Sequence, residues 1–149
     1  MIITTKGRFA VMSLVHINVY GKGSPVNLSE ISLKQNIDSG YLEQIFIQLK
    51  KAQLVSSVRG AKGGYVLLRD AKEILLTDIM TATLENLRMT RCAKSSHEGC
   101  LQDKTQCLTH GLWTNFEDYV HDFLSSISIQ DICDRKFNIS NCGGKRDAS

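Results

Sequence analysis

Residues 27–69 read NLSEISLKQNIDSGYLEQIFIQLKKAQLVSSVRGAKGGYVLLR. Asn27, with Glu30 three residues later, is a capping-box start for a short helix. Leu28, Ile31 and Leu33 form its apolar side. The helix ends near Gln35 and Asn36, a tight turn passes through Ile37, and Asp38 or Ser39 caps the next helix. In that helix Leu42, Ile45, Phe46 and Leu49 recur at helical spacing and point inward, while Tyr41, Glu43, Gln44, Gln48, Lys50 and Lys51 point outward. The period then changes. LVSSVR (54–59) and YVLLRD (65–70) are strand-like runs on either side of the turn GAKGG (60–64), which predicts a hairpin.

Upstream, Phe9, Met12, Val15 and Val19, with Ala10, Val11 and Leu14, predict a helix over about 5–20, closed by GKGSP (21–25). The order helix, helix, turn, helix, hairpin predicts a mainly α fold with a small β-hairpin: a winged helix-turn-helix. Downstream, LTDIMTATLE (76–85) reads as a helix capped by Thr77. From about 107 to 126 the apolar positions Leu112, Phe116, Tyr119 or Val120, Phe123 and Ile127 predict a long helix with an apolar side wider than this chain can bury alone. Dimerisation through it makes the expected partner a second copy. A short helix over SIQDIC (128–133) follows. The division is 1–85 for the winged helix, 86–106 for a loop, 107–135 for the dimerisation and terminal helices, and 136–149 for a tail expected to be disordered.

Charge separates the two halves. Through Arg69 there are nine Lys and Arg against three acids, a net +6 within a whole-chain +3, so the remainder carries −3. A basic first half suits a polyanion, double-stranded DNA above all. The second helix of a helix-turn-helix enters the major groove with its first residues on base edges. That places Ser39, Tyr41, Glu43 and Gln44 there. Gln44 suits adenine, Glu43 suits cytosine, and Ser39 and Tyr41 suit phosphates. Lys34, Lys50 and Lys51 flank them for backbone contact, and Arg59 and Lys62 on the wing suit a narrow minor groove. A purely protein-binding helix-turn-helix is the competing reading. AKGG is no nucleotide-binding loop, because no G-x-x-x-x-G-K-[ST] surrounds it.

All five cysteines follow residue 91. An odd, one-sided set argues for ligands in a reducing, cytoplasmic compartment over a disulfide framework. The polar loop RCAKSSHEGCLQDKTQCLTH (91–110) carries Cys92, Cys100, Cys107 and His110 in a C-x7-C-x6-C-x2-H spacing. Thiolates and imidazole suit zinc or an iron–sulfur cluster, and three cysteines with one histidine favour zinc on spacing alone. His97 is a possible alternative ligand. Cys133 reads as a small core residue and Cys142 as an exposed thiol of the tail. No C-x-x-C pair or convergent acid–base set points to an enzyme. No apolar run is long enough to span a membrane, and His16 and Asn18 interrupt any signal-like segment at the start.

TTKGRFAV (4–11), YLEQIFIQLKKAQLVSSVRGAKGGYVL (41–67) and the C…C…CLTHGLW pattern ending at Trp113 resemble the iron–sulfur cluster regulators (IscR-like proteins) of the bacterial winged-helix repressor family that also includes NsrR, RirA and CymR. The resemblance implies a homodimeric repressor of cluster-assembly genes. It implies a 2Fe–2S cluster held by Cys92, Cys100, Cys107 and His110, whose occupancy changes which operators are bound. It also implies that Glu43 discriminates DNA sites and that Arg59 contacts the minor groove. A relative sensing nitric oxide or iron through a different cluster, and a zinc-stabilised interaction module, are the other readings.

Overall fold

Helix α1 (Thr5–His16) lays Ala10, Leu14 and the following Ile17 into the core, each at most 3% exposed. In this computed structural model, which describes residues 4–84 and 100–136, the expected first helix does not stay regular to Tyr20. Ile17–Gly21 forms a π-helical turn, and Lys22 in the left-handed region ends it. The buried row is Ala10–Leu14–Ile17. Phe9, Val11 and Val15 pack partly against it, and Val19 is exposed.

Helix α2 (Leu28–Gln35) starts as its sequence predicts, with the Asn27 side chain accepting from the Glu30 backbone N–H at 2.7 Å. The Glu30 carboxylate goes elsewhere. It accepts from Nε2 of the buried His16 at 3.2 Å, while Nδ1 of the same ring accepts from the Gln35 amide at 3.2 Å. One imidazole from α1 thus fastens both ends of α2. Leu33 departs from expectation: it is 82% exposed, and only Ile31 of this helix is fully buried.

Helix α3 (Ser39–Lys51) is capped by Asp38, which accepts from the Tyr41 backbone N–H at 2.9 Å. Leu42, Ile45, Phe46 and Leu49 have no exposed surface, as their spacing predicts. Strands β1 (Val55–Val58) and β2 (Gly64–Leu67) pair antiparallel, Val55 opposite Leu67 and Val58 opposite Gly64. A third segment joins the sheet. Val26 exchanges both backbone hydrogen bonds with Tyr65, at 3.0 and 2.8 Å, so the connector after α1 runs along the outer edge of β2. That close approach requires a glycine. A Cβ at Gly64 would lie 2.4 Å from the Val26 carbonyl oxygen.

Helix α4 (Leu76–Ala82) follows. Thr77 does not cap it. Leu75 is the residue before the first turn, and its N–H donates to the Asp78 carboxylate at 3.2 Å. Helix α5 (His110–Ser125) starts three residues later than predicted, which leaves Cys107 in the loop ahead of it. Helix α6 (Ile129–Cys133) returns to the first half of the chain. Ile129 N–H donates to Ile74, and Leu76 N–H donates to Ile127, both at 2.9 Å. Ile129 is fully buried in the core cluster and α6 packs on α1 and the π-helical turn, so this last helix belongs to the core of the winged helix. Cys133 is half-buried against that core, its sulfur 3.3 Å from the Asn18 amide. The expected tail falls outside the described residues from 137 onward, as does Cys142.

Ser128 caps α6, and Asp131 returns the bond to the Ser128 backbone N–H at 2.9 Å and to its hydroxyl at 2.6 Å. Lys136 also donates to Asp131. The Lys136 ammonium first, then the Ser128 hydroxyl, hold the Asp131 carboxyl well below its ordinary range.

Two outcomes follow from these contacts. Gly64→Ala is expected to lower unfolding free energy by about 1–3 kcal/mol, read from the urea midpoint, because the methyl overpacks against fixed backbone. An unchanged midpoint would mean that the Val26 edge moves away without cost. Asp131→Asn is expected to destabilise the protein at neutral pH. A carboxyl with a depressed folded pKa stabilises above its unfolded pKa, and that stability is lost as pH falls through the folded one. The gap between wild type and variant should therefore narrow as pH is lowered from 3.8, the ordinary value. A constant gap would assign the loss to packing.

Candidate nucleic-acid interface and ligand cluster

Burial of one side of α3 decides what its other side presents. Ser39, Glu43, Gln44, Lys50 and Lys51 are exposed, with Lys34 exposed on the neighbouring α2 and Arg59 and Lys62 exposed at the hairpin turn. These eight expected contact residues lie on one contiguous stretch of the fold: helix, helix and wing. Gly60 in the turn has φ +121°, a conformation open to glycine, and lets Arg59 and Lys62 flank a tight bend.

Two members of the set have further work. Tyr41 is half-buried rather than outward, with its ring edge-on to Phe9 of α1 at a centroid distance of 6.0 Å. Lys50 Nζ donates to the Ser57 hydroxyl at 2.7 Å, which ties the end of α3 to β1. Ser57 went unnoticed in the sequence because only the packing of β1 against α3 brings it beside Lys50. Asp38, an acid at the start of α3, is engaged as its cap. Ile47 is 56% exposed and shares the outward row of α3 with Glu43 and Gln44, a position that its spacing of four and three residues from them could have flagged.

The second constellation lies at the start of α5. His110 opens the helix and is 8% exposed. Its Nδ1 is 3.0 Å from the Cys100 sulfur, and its backbone N–H donates to the Cys107 carbonyl at 3.0 Å. The Cys107 sulfur is 3.4 Å from the Thr109 hydroxyl. The Thr109 side chain, foremost, and the Cys100 side chain lower the Cys107 pKa from its ordinary value. The spacing pairs Cys107 with His110. The side-chain contact instead joins Cys100 to His110, across a ten-residue excursion that no local pattern reveals. Thr109 is the residue that sequence reading missed here, since nothing distinguishes a threonine between ligands from a cap. Cys92 and His97 lie outside the described residues. Among the described residues no three His, Cys, Asp or Glu side chains are already set around a metal position. The donors present are soft, and one thiol is predisposed to ionise, so their chemistry fits a soft metal or an iron–sulfur cluster.

Among the described residues no helix is long and apolar enough to cross a membrane. Two helices joined by a tight turn and followed by a hairpin are the layout of a winged helix-turn-helix, and the matching family and relatives make the chain a DNA-binding transcriptional regulator. The chain belongs to the Rrf2 family, described as iron-dependent transcriptional regulators, whose model matches residues 3–135. It is 41% identical over 147 residues to the HTH-type transcriptional regulator IscR of Photorhabdus laumondii, covering 99% of this chain and 87% of that one. It is 42% identical to IscR of Xenorhabdus nematophila, covering 89% and 79%. Among solved structures, CymR, the global cysteine regulator of B. subtilis, superposes with a TM-score of 0.77 at 27% identity, covering 91% of this chain and 98% of that chain. T. potens IscR gives 0.73 at 29%, covering 91% and 88%. The resemblance read from TTKGRFAV, YLEQ and CLTH is thus borne out.

Tyr41 lends itself to a separation of roles. Tyr41→Phe should leave the urea midpoint unchanged, because the ring contact with Phe9 survives. Tyr41→Ala should lose about 2 kcal/mol, from the edge-to-face pair and the apolar area that it covers. Equal midpoints for Tyr41→Ala and wild type would show that the ring adds nothing to the fold.

Proposed function

We propose that this regulator is a homodimer that represses iron–sulfur cluster assembly genes by binding a double-stranded operator, with a 2Fe–2S cluster setting its operator choice. The observation that carries the reading is the Cys100–His110 contact beside Cys107 at the start of α5, in a chain of this family. Cys100, Cys107 and His110, with Cys92 as the fourth ligand, would hold the cluster. When bound, the cluster supplies a group whose presence reports iron and sulfide supply. An imidazole ligand is protonatable and more labile than a thiolate, which suits a sensor over a permanent electron carrier.

The chain's own residues supply the rest. Glu43 and Gln44 face base edges, Ser39 and Tyr41 face the phosphates, Lys34, Lys50 and Lys51 neutralise the backbone, and Arg59 and Lys62 reach for the minor groove. The dimer is supported by α5, whose exposed side carries Leu112 at 61%, Trp113 at 41%, Phe116 at 47% and Tyr119 at 75%. Four large apolar residues on successive turns of one helix make an isologous seam when they meet a second copy. The dimer then sets the separation of two recognition helices, and half-sites one DNA turn apart are the geometric expectation.

Anaerobic purification with iron, acid-labile sulfide and zinc analysis tests the reading. Iron and sulfide near about two each per chain are expected, with visible absorption that Cys107→Ala abolishes while the far-ultraviolet dichroism stays unchanged. Zinc at about one per chain without sulfide would make the same residues a structural clamp and end the sensing proposal.

A further inference from the structure

Ile47 is the one large apolar residue that α3 sends outward, and 56% of its surface is exposed. A β-branched side chain in mid-helix costs a few tenths of a kcal/mol relative to a straight-chain residue, and here burial does not offset it. Its neighbours on that row are Glu43 and Gln44 one turn before and Lys50 and Lys51 one turn after, all exposed. A single exposed apolar residue is commonplace on a surface. This one sits at the centre of a row whose other members carry charge or amide groups, on a helix that ends in Lys50 and Lys51 and follows a helix carrying the exposed Lys34. A partner that fits must be anionic around its rim and apolar at one point inside it.

The major groove of double-stranded DNA has that character. Phosphates line both edges, and the only apolar group on the base edges is the C5-methyl of thymine. We propose that Ile47 is a specificity-determining residue that reads a thymine methyl in each half-site. The proposal rests on α3 being the helix that enters the groove. Gln44, three residues before it, prefers an adenine, so the pair would favour neighbouring A·T pairs. The α2 residues Leu33 and Lys34 stay outside this contact, since α2 lies across the mouth of the groove when α3 lies within it.

The test uses the full chain and a duplex enriched from a random-sequence double-stranded pool by binding to it. Each thymine of that duplex is replaced singly by deoxyuridine, which removes the methyl and nothing else. For the wild-type protein, one thymine per half-site is expected to matter, with affinity falling about three- to fivefold for the buried methyl. Ile47→Ser should bind the unmodified duplex more weakly by a similar factor and should lose its sensitivity to that one thymine. Ile47→Val should keep it. The urea midpoint of Ile47→Ser should match wild type, because the side chain contributes little to the core. Equal deoxyuridine penalties in wild type and Ile47→Ser at every position would overturn the proposal. A chain that enriches no duplex would overturn the groove assignment of α3 itself, which is a separate failure.

Discussion

Four residues with no exposed surface, Leu42, Ile45, Phe46 and Leu49, fix the rotation of α3 about its own axis. What α3 presents to a partner depends on that constraint. A helix locked by one face has no freedom in what the other face offers, so the polar row from Ser39 to Lys51 is a consequence of core packing. Removing any one of the four large side chains would cost about 2–5 kcal/mol and release that rotation. The remaining contacts refine the pose. Tyr41 braces the helix start against α1, Lys50 braces its end against β1, and His16 fastens the preceding helix at both ends.

The wing is held with comparable economy. The sheet is a hairpin to which the chain adds one bridging residue, Val26, and that bridge requires Gly64 to lack a side chain. Arg59 and Lys62 therefore sit at a turn whose following strand, β2, is paired on both edges, to β1 on one side and to Val26 on the other. Helix α3 and the wing are tied together by the Lys50–Ser57 hydrogen bond and by the packing of β1 on α3.

Much of this was legible in the chain. The caps Asn27 and Asp38 were visible because a cap is a local event, settled within three residues. The inward face of α3 and the hairpin were visible because a period of 3.6 and a change to short β-branched runs leave plain marks. Leu33 was misread because α2 is only eight residues long, and two turns are too few for spacing to separate a buried row from an exposed one. Thr77 was misplaced as a cap because Asp78 reaches the backbone first, from inside the helix. The π-helical turn, the role of His16 and the Val26 bridge had no local signature, since each depends on a distant partner. At the ligand cluster the residue types were plain and their pairing was not. His110 meets Cys100 because the chain doubles back between them, and loop geometry of that kind does not show in spacing.

The docking of α6 gives the molecule an unusual connectivity. The chain leaves the winged helix after α4 and re-enters it at Ile127 and Ile129, hydrogen-bonded to Leu76 and Ile74 at the start of that same helix. The ligand cluster and α5 are thus an excursion with both feet on one short helix, in the manner of an insertion rather than an appendage. Helix α5 also packs on α4, so the excursion meets the winged helix along its own length as well as at its two ends.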